Sequence, residues 1–287
     1  MLNKKLVLIA AALTILSGNL AAKDLRVVKG LSSPESVMAA DDGRIFVSQI
    51  GGFGVDGDGS IAIIGKDGQI STFATGLDDP KGFARHGDFI YVADKMRVWK
   101  IDKKGKVTVF APASAFPAAP QFLNDVAIDA KGNVYVSDSG DTKVGGGGAI
   151  FSISPDGVVS VVTSHAEDGR VKSPNGLLVD RGSLLAVDFA SGELYRIDLQ
   201  SPHPSKKLAG GFGGGDGLAL DRAGNLHISD WKNGKVFRLN LKKKDAKPIE
   251  YEQDFQAAAD ITLDASRKFV LVPDMKAGTL TWLPIQR

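Results

Sequence analysis

Four side chains with oxygen donors, Glu35, Asn124, Asn175 and Asp216, open closely similar segments of a 287-residue chain. Their surroundings read Pro34-Glu35-Ser36-Val37, Leu123-Asn124-Asp125-Val126, Pro174-Asn175-Gly176-Leu177 and Asp216-Gly217-Leu218. Lys81, in Pro80-Lys81-Gly82-Phe83, and Ala259, in Ala259-Asp260-Ile261, hold the same position in two further segments. Two carboxylates and two amide carbonyls drawn round one point suit a hard divalent cation. Without a cation, Glu35 and Asp216 would repel each other in a poorly solvated place. A cation held by few protein oxygens leaves positions for water and substrate, polarises a carbonyl and lowers the pKa of nearby water. A single Asn or Asp ordinarily caps a turn; four such residues at one repeat position need another reason.

Residues so far apart in sequence meet only if the segments are copies of one structural unit. Asn124 through Asp138 aligns without a gap on Asp216 through Asp230. Shorter or looser versions start at Glu35, Lys81, Asn175 and Ala259, so the unit recurs every 41 to 51 residues. Each copy reads as four short strands, in the third copy around Val126–Ile128, Val134–Ser137, Ala149–Ile153 and Val158–Val162, with Gly or Asp-Gly turns between. Alternation, β-branched residues and dense turn signals indicate antiparallel strands. Four strands in a unit of this length make a propeller blade, and six units make an all-β six-bladed propeller. The last copy supplies Ile261–Leu263, Phe269–Val272 and Thr279–Leu283 and lacks a fourth strand; Leu25–Val28 is expected to fill that place and close the ring. The first strand of each blade lines the channel, so the six repeat-leading residues form a ring around the axis. Gly82, Gly176 and Gly217 follow three of them and permit close backbone approach. Ala84, Ala127 and Ala219, three places on, are expected to relieve crowding near the axis.

Other features narrow the classes. Glycine is abundant, 34 residues, which disfavours helical bundles. There are 35 basic and 33 acidic residues, and the longest basic run is Lys242 to Lys244, so no nucleic-acid footprint is expected. Cysteine is absent, which excludes disulfides, thiolate metal sites and a cysteine nucleophile. Lys4 and Lys5, the apolar run Leu6 to Leu16 and small residues at Ala21 and Ala22 have the layout of a secretory signal peptide. The expected organisation is residues 1–22 as signal peptide and 23–287 as one propeller domain, exported to the periplasm or secreted, monomeric, with no membrane segment after cleavage. The recurring aspartates Asp94, Asp138, Asp188, Asp230 and Asp274 follow the second strand; a residue repeated in five blades reads as structural. Asp56-Gly57-Asp58-Gly59 resembles part of a calcium loop but lacks the later glutamate. None of the four histidines has metal-ligand spacing, and His227 reads as packing.

The chain resembles the gluconolactonase and regucalcin (senescence marker protein) family of six-bladed propellers, and more distantly diisopropylfluorophosphatase and paraoxonase. The likeness spans essentially the whole mature chain and rests on Ser33-Pro34-Glu35, Leu123-Asn124-Asp125, Ser173-Pro174-Asn175-Gly176-Leu177 and Asp216-Gly217. It implies Glu35, Asn175 and Asp216 as ligands of one divalent cation, with Asn124 as a fourth ligand or a substrate contact. Ca2+ is the first expectation, with Zn2+, Mn2+ or Mg2+ as alternatives. It further implies Asp216 as general base in hydrolysis of a lactone or related ester by metal-activated water. Where family members often have an arginine before the third-blade Asn, this chain has Gln121-Phe122-Leu123, which points towards a less polar lactone. Lys81 places a cation in the ring, where it could orient the small-molecule substrate or take the place of the metal. Two other classes use the same fold: a non-catalytic binding scaffold, and a quinone-dependent sugar dehydrogenase, for which no histidine stands in the ring.

Overall fold

Six sheets of four antiparallel strands follow one another along the chain in the computed structural model, which describes residues 25–286. The signal-peptide reading of residues 1–22 lies outside the described residues. Blade one runs Pro34–Ala39, Ile45–Gln49, Gly59–Ile64 and Ile70–Leu77; blade two runs Pro80–His86, Phe89–Asp94, Arg97–Ile101 and Val107–Ala111. Blade three holds Leu123–Ile128, Val134–Asp138, Ala149–Ile153 and Val159–Ser164, and blade four Pro174–Asp180, Ser183–Asp188, Glu193–Asp198 and Ser205–Gly210. Blade five is Gly215–Leu220, Asn225–Asp230, Lys235–Asn240 and Ile249–Glu250. Blade six takes Thr262–Leu263, Phe269–Asp274 and Thr279–Pro284 from the C-terminal end, and its outer strand is Val27–Lys29. Val27, Val28 and Lys29 pair with Thr281, Leu280 and Thr279. The ring therefore closes as the repeat arithmetic requires, with the closing strand two residues later than expected. No α-helix occurs among the described residues, so nothing there is a helix able to cross a membrane.

Six apolar cores hold the ring, one at each seam between neighbouring blades. Phe46, Ile61 and Leu77 of blade one meet Phe83, Ile90 and Val92 of blade two. Val47 and Ile64 of blade one meet Leu271, Leu280 and Trp282 of blade six. The alternation of each strand thus sends one face to the blade before it and the other to the blade after it. Ala127 packs into the seam with blade four, Ala219 into the seam with blade six, and Ala84 against the seam with blade three. This corrects the expectation that the alanines relieve crowding at the axis: their small size serves the close approach of one sheet to the next.

At the axis the inner strands share a local irregularity. Leu123 pairs with Asp138 and Val126 with Val136, so Asn124 and Asp125 together face Ser137. The same step separates Pro34 from Val37, Pro80 from Phe83, Pro174 from Leu177 and Gly215 from Leu218. Such a bulge turns a side chain out of the sheet's alternation, and here it aims Glu35, Lys81, Asn124, Asn175 and Asp216 into the channel. The backbone N–H freed by the bulge is met by a serine of the second strand: Asp125 N donates to Ser137 Oγ at 2.9 Å, Ser36 N to Ser48 Oγ at 2.8 Å and Gly217 N to Ser229 Oγ at 2.7 Å.

The recurring aspartates fix the approach to each bulge. Asp138 accepts from Gln121 N and Phe122 N at 2.9 and 2.8 Å, Asp188 from Lys172 N and Ser173 N at 2.8 and 2.7 Å, and Asp94 from Asp78 N and Asp79 N at 2.8 and 2.7 Å. Asp230 and Asp274 hold the matching segments of blades five and six. In blade one Gln49 substitutes, accepting from Ser32 N at 2.8 Å. The structural reading of this column follows directly from its partners. Replacing Asp138 by Ala leaves three backbone N–H groups, those of Gln121, Phe122 and Gly140, without their acceptor, at ~1–3 kcal/mol each; the expected loss is about 3–5 kcal/mol in urea unfolding at neutral pH, and an unchanged midpoint would contradict the clamp.

Candidate functional site

The five polar residues of the axial ring line one cavity of about 730 Å3. Glu35, Lys81, Asn124, Asn175 and Asp216 are each at most 6% exposed. They arrive from blades one to five, and blade six contributes Ala259, which is fully buried. The convergence that the repeat demands is therefore present, and it brings two carboxylates, two amides and one ammonium to a common floor.

Three oxygens of this floor have no hydrogen-bond partner: Glu35 Oε2, Asn124 Oδ1 and Asp216 Oδ1. The amide nitrogen of Asn124 donates to Ser139 Oγ at 3.1 Å, and that hydroxyl donates on to Pro174 O at 2.9 Å. Asn124 Oδ1 is thereby left to face the cavity. Buried oxygens without donors are costly, and they become favourable ligands once a cation supplies the missing charge. Lys81 does not do so by contact. Its Nζ donates to Asp79 O at 3.1 Å and stands 4.4 Å from the ring centre of Phe122 and 5.8 Å from that of Phe53. The donor set is all oxygen and includes two amides, and among the described residues no three His, Cys, Asp or Glu side chains are placed to hold a metal ion by themselves. A mixed carboxylate and amide set of this kind fits a hard cation such as Ca2+, Mg2+ or Mn2+ better than Zn2+.

The electrostatics point the same way. Burial pushes the Glu35 carboxyl well above the usual carboxylate range, and Asp216 and Asp260 push it further, against the opposing pull of Lys81. Burial likewise raises Asp216 well above its ordinary value, with Asp260 and Asp230 adding and the Asn175 amide opposing. Burial lowers the Lys81 ammonium, opposed first by Glu35 and then by Asp79. The floor holds more negative than positive charge, and its carboxylates resist ionisation until something positive joins them.

Beneath the floor lies a second layer that the sequence reading did not single out. The position after each ring residue carries Ser36, Gly82, Asp125, Gly176, Gly217 and Asp260. Asp125 accepts from Val126 N and, across the seam, from Leu177 N, both at 2.6 Å. Asp260 accepts from Ser36 Oγ, and its own N–H donates to Glu35 O at 2.9 Å. A Cβ at Gly82 would overlap Asp125, and one at Gly217 would overlap Asp260. The glycines thus make room for the two aspartates of the neighbouring blades. The signal was available: the same column that showed Gly three times shows Asp twice.

Above the floor, Ile50, Phe189, Trp231 and Met275 wall the cavity, with Phe53 and Phe122 and the polar Thr142, Lys143 and Lys232. The first four occupy one further repeat position, immediately after the second strand. Sequence reasoning stopped at the recurring aspartate one residue earlier. The Asp56–Gly59 loop is held by its own contacts, with Asp58 accepting from Gly52 N at 2.9 Å and Lys95 bonding Asp56, and it carries Phe53 to the mouth. None of the four histidines lines the cavity. His227 is fully buried beside Tyr251 in a blade, its hydroxyl contact at 3.1 Å, and burial lowers it to about 4.

Comparison with known proteins agrees with this architecture. A family model described as "SMP-30/Gluconolactonase/LRE-like region" matches residues 78–258. A gluconolactonase from Xanthomonas campestris superposes with a TM-score of 0.71 at 16% identity, covering 92% of this chain and 90% of that one. A calcium-binding regucalcin from Agrobacterium tumefaciens gives 0.67 at 16%, covering 90% and 91%. Virginiamycin B lyase from Staphylococcus aureus gives 0.61 at 13%, covering 92% and 100%. At such identities these likenesses carry the fold alone. A search of curated protein sequences returns no match.

A carboxyl whose folded pKa lies above its unfolded value favours folding below that unfolded value and loses this contribution as pH rises through the folded one. Asp260, raised by burial from 3.8 to about 7, and the raised Glu35 and Asp216 all act in this direction. In the presence of a chelator the melting temperature should therefore fall between pH 4 and pH 7 or above. Millimolar Ca2+ should restore it at the upper end, and thermal scans with and without chelator that coincide at every pH would refute the cation site.

Proposed function

We propose that this chain, which belongs to the SMP-30/gluconolactonase/LRE-like family, hydrolyses lactones or closely related esters with the help of one divalent cation in its channel. The reading is carried by the three unpartnered oxygens, Glu35 Oε2, Asn124 Oδ1 and Asp216 Oδ1, on the floor of a cavity that accepts a small molecule. Glu35, Asn124, Asn175 and Asp216 would hold the cation, which supplies Lewis acidity towards a carbonyl and towards water.

The chain's own groups do the rest. Asp216 takes a proton from the attacking water as its oxygen bonds to the acyl carbon. The bond from that carbon to the ring oxygen then breaks, and the proton passes from Asp216 to the departing oxygen. Its raised pKa suits this exchange, because a base is most effective when its pKa approaches the working pH. The Asn175 amide favours the ionised form that accepts the first proton. Lys81, with donors left beyond its bond to Asp79 O, offers a hydrogen bond to negative charge developing on the substrate oxygen. Burial keeps that ammonium out of bulk water, where its charge acts more strongly.

A passive scaffold gives no reason for oxygens left unpaired at a cavity floor, and a dehydrogenase working through a histidine base finds no histidine there. Activity outside the cytoplasm is part of the proposal, supported by the basic and apolar pattern of residues 1–22; N-terminal sequencing of protein recovered from the periplasm should then begin near Lys23.

Asp216→Asn keeps the shape of the base and removes its basicity. In a panel of lactones and esters with Ca2+, Mn2+, Mg2+ or Zn2+, it should lower kcat/KM by about 10²–10⁴-fold, the usual contribution of a general base. A variant as active as the parent would exclude Asp216 from the chemistry, and a parent inactive on the whole panel would exclude the reaction.

A further inference from the structure

The polar floor is only the lower part of the cavity, and the wall above it has a composition of its own. The residue following the second strand is Ile50, Lys95, Ser139, Phe189, Trp231 and Met275 in blades one to six. In five blades its N–H donates to the carbonyl two places before the ring residue, as Phe189 N does to Ser173 O at 2.8 Å and Trp231 N to Gly214 O at 2.9 Å. These side chains therefore form a second ring directly above the first. Blades four, five, six and one give an unbroken apolar arc of Phe189, Trp231, Met275 and Ile50.

Blades two and three would break that arc with Lys95 and Ser139, but neither reaches the wall as a free polar group. Lys95 turns to Asp56 and stands 3.9 Å from Asp79, and Ser139 is committed to Asn124 and Pro174. The gap is filled from outside the repeat. Phe53, on the blade-one loop, and Phe122, just before the third bulge, stack at 6.1 Å with planes 26° apart, above Lys81. Across the mouth Phe189 and Trp231 lie 6.3 Å apart at 54°. The result is a mainly aromatic and aliphatic collar between a polar floor and the solvent, with Thr142, Lys143 and Lys232 as its polar members and the Lys232 ammonium 4.3 Å from the centre of the Phe189 ring. Phe53 is 66% exposed, an aromatic surface left open on the mouth.

We propose that the ligand of this channel is a lactone or ester bearing an aromatic or comparably bulky apolar group, with its carbonyl on the floor and its apolar body in the collar. This deepens the hydrolase reading and rests on it for the word substrate, though not for the ligand class. A polyhydroxylated sugar lactone would find only Thr142, Lys143 and Lys232 as polar partners among the rings and methyl groups above the floor, and its remaining hydroxyls would lose the hydrogen bonds they made in water. A flat aromatic body removes its own surface and that of the collar from water together, with ring-to-ring contacts on two sides.

The probes are dihydrocoumarin, an aromatic ring fused to a six-membered lactone, and glucono-δ-lactone, assayed on the calcium-loaded protein. Binding is measured separately by calorimetry with dihydroquinolinone, the lactam counterpart that resists hydrolysis. The expected result is a kcat/KM at least tenfold higher for dihydrocoumarin. Affinity for the lactam should fall five- to tenfold in Trp231→Ala and in Phe53→Ala; the exposed position of Phe53 keeps the second variant free of folding effects. Tight, collar-dependent lactam binding without hydrolysis of either lactone would support the ligand class while overturning the hydrolase. Preferential hydrolysis of glucono-δ-lactone, or lactam binding indifferent to both substitutions, would overturn the ligand class while leaving the hydrolase in place.

Discussion

Two backbone N–H groups just ahead of an axial residue, held by a carboxylate from the end of the adjacent strand, constrain nearly everything in the channel. Asp94, Asp138 and Asp188 each make this pair of bonds, Asp230 and Asp274 hold the same segments, and Gln49 makes a single bond in blade one. With the chain pinned two residues upstream and paired again two residues downstream, the residues between must bulge. The bulge removes the freedom of the floor side chains to turn back into the sheet. Charge-assisted hydrogen bonds to backbone N–H groups are among the stronger local restraints available to a protein, and here they are buried or part-buried. A floor assembled from five separate blades needs such restraint, because no single blade contributes more than one residue of it.

The same axis carries a concentration of negative charge, and each carboxylate is relieved differently. Asp125 is met by two N–H donors, one from each side of a seam. Asp260 is met by the Ser36 hydroxyl and is raised to about 7, so that it holds a proton under mildly acidic conditions. Glu35 and Asp216 keep one oxygen each with no partner at all. Lys81 draws Glu35 down but makes its hydrogen bond elsewhere. Desolvation of an uncompensated carboxylate is costly enough that proteins either pair it, protonate it or give it a metal. The first two solutions are used in the layer beneath, and the third is the one proposed for the floor.

Floor and collar divide the labour of recognition. The floor is confined to groups that can act on a carbonyl, and its residues come from the ring position of the repeat. The collar comes from the position after the second strand, with Phe53 and Phe122 closing it where the repeat supplies Lys95 and Ser139. Phe122 stands just before the third bulge and joins Phe53 in the mainly apolar wall. Floor and collar therefore rest on different columns of one repeat.

The sequence by itself determined the fold and the membership of the floor. Strand alternation, turn residues and the spacing of six in-register units require the propeller, and a residue's place in the unit fixes its place relative to the axis. That is why Glu35, Asn124, Asn175 and Asp216 could be grouped although Glu35 and Asp216 are 181 positions apart, and why the closing strand could be sought at the N-terminal end. Only the tertiary structure decided which face of a strand looks at the axis and which at a neighbouring blade. Ala84, Ala127 and Ala219 belong to the seams because the bulge shifts the alternation at the inner strand, a shift that residue spacing does not reveal. It alone showed that Lys81 turns to a backbone carbonyl and two rings, that Asp125 and Asp260 fill the space the glycines leave, and that loop residues complete the collar. Each of these depends on side-chain direction and on contacts between blades, and the chain writes its repeats one blade at a time.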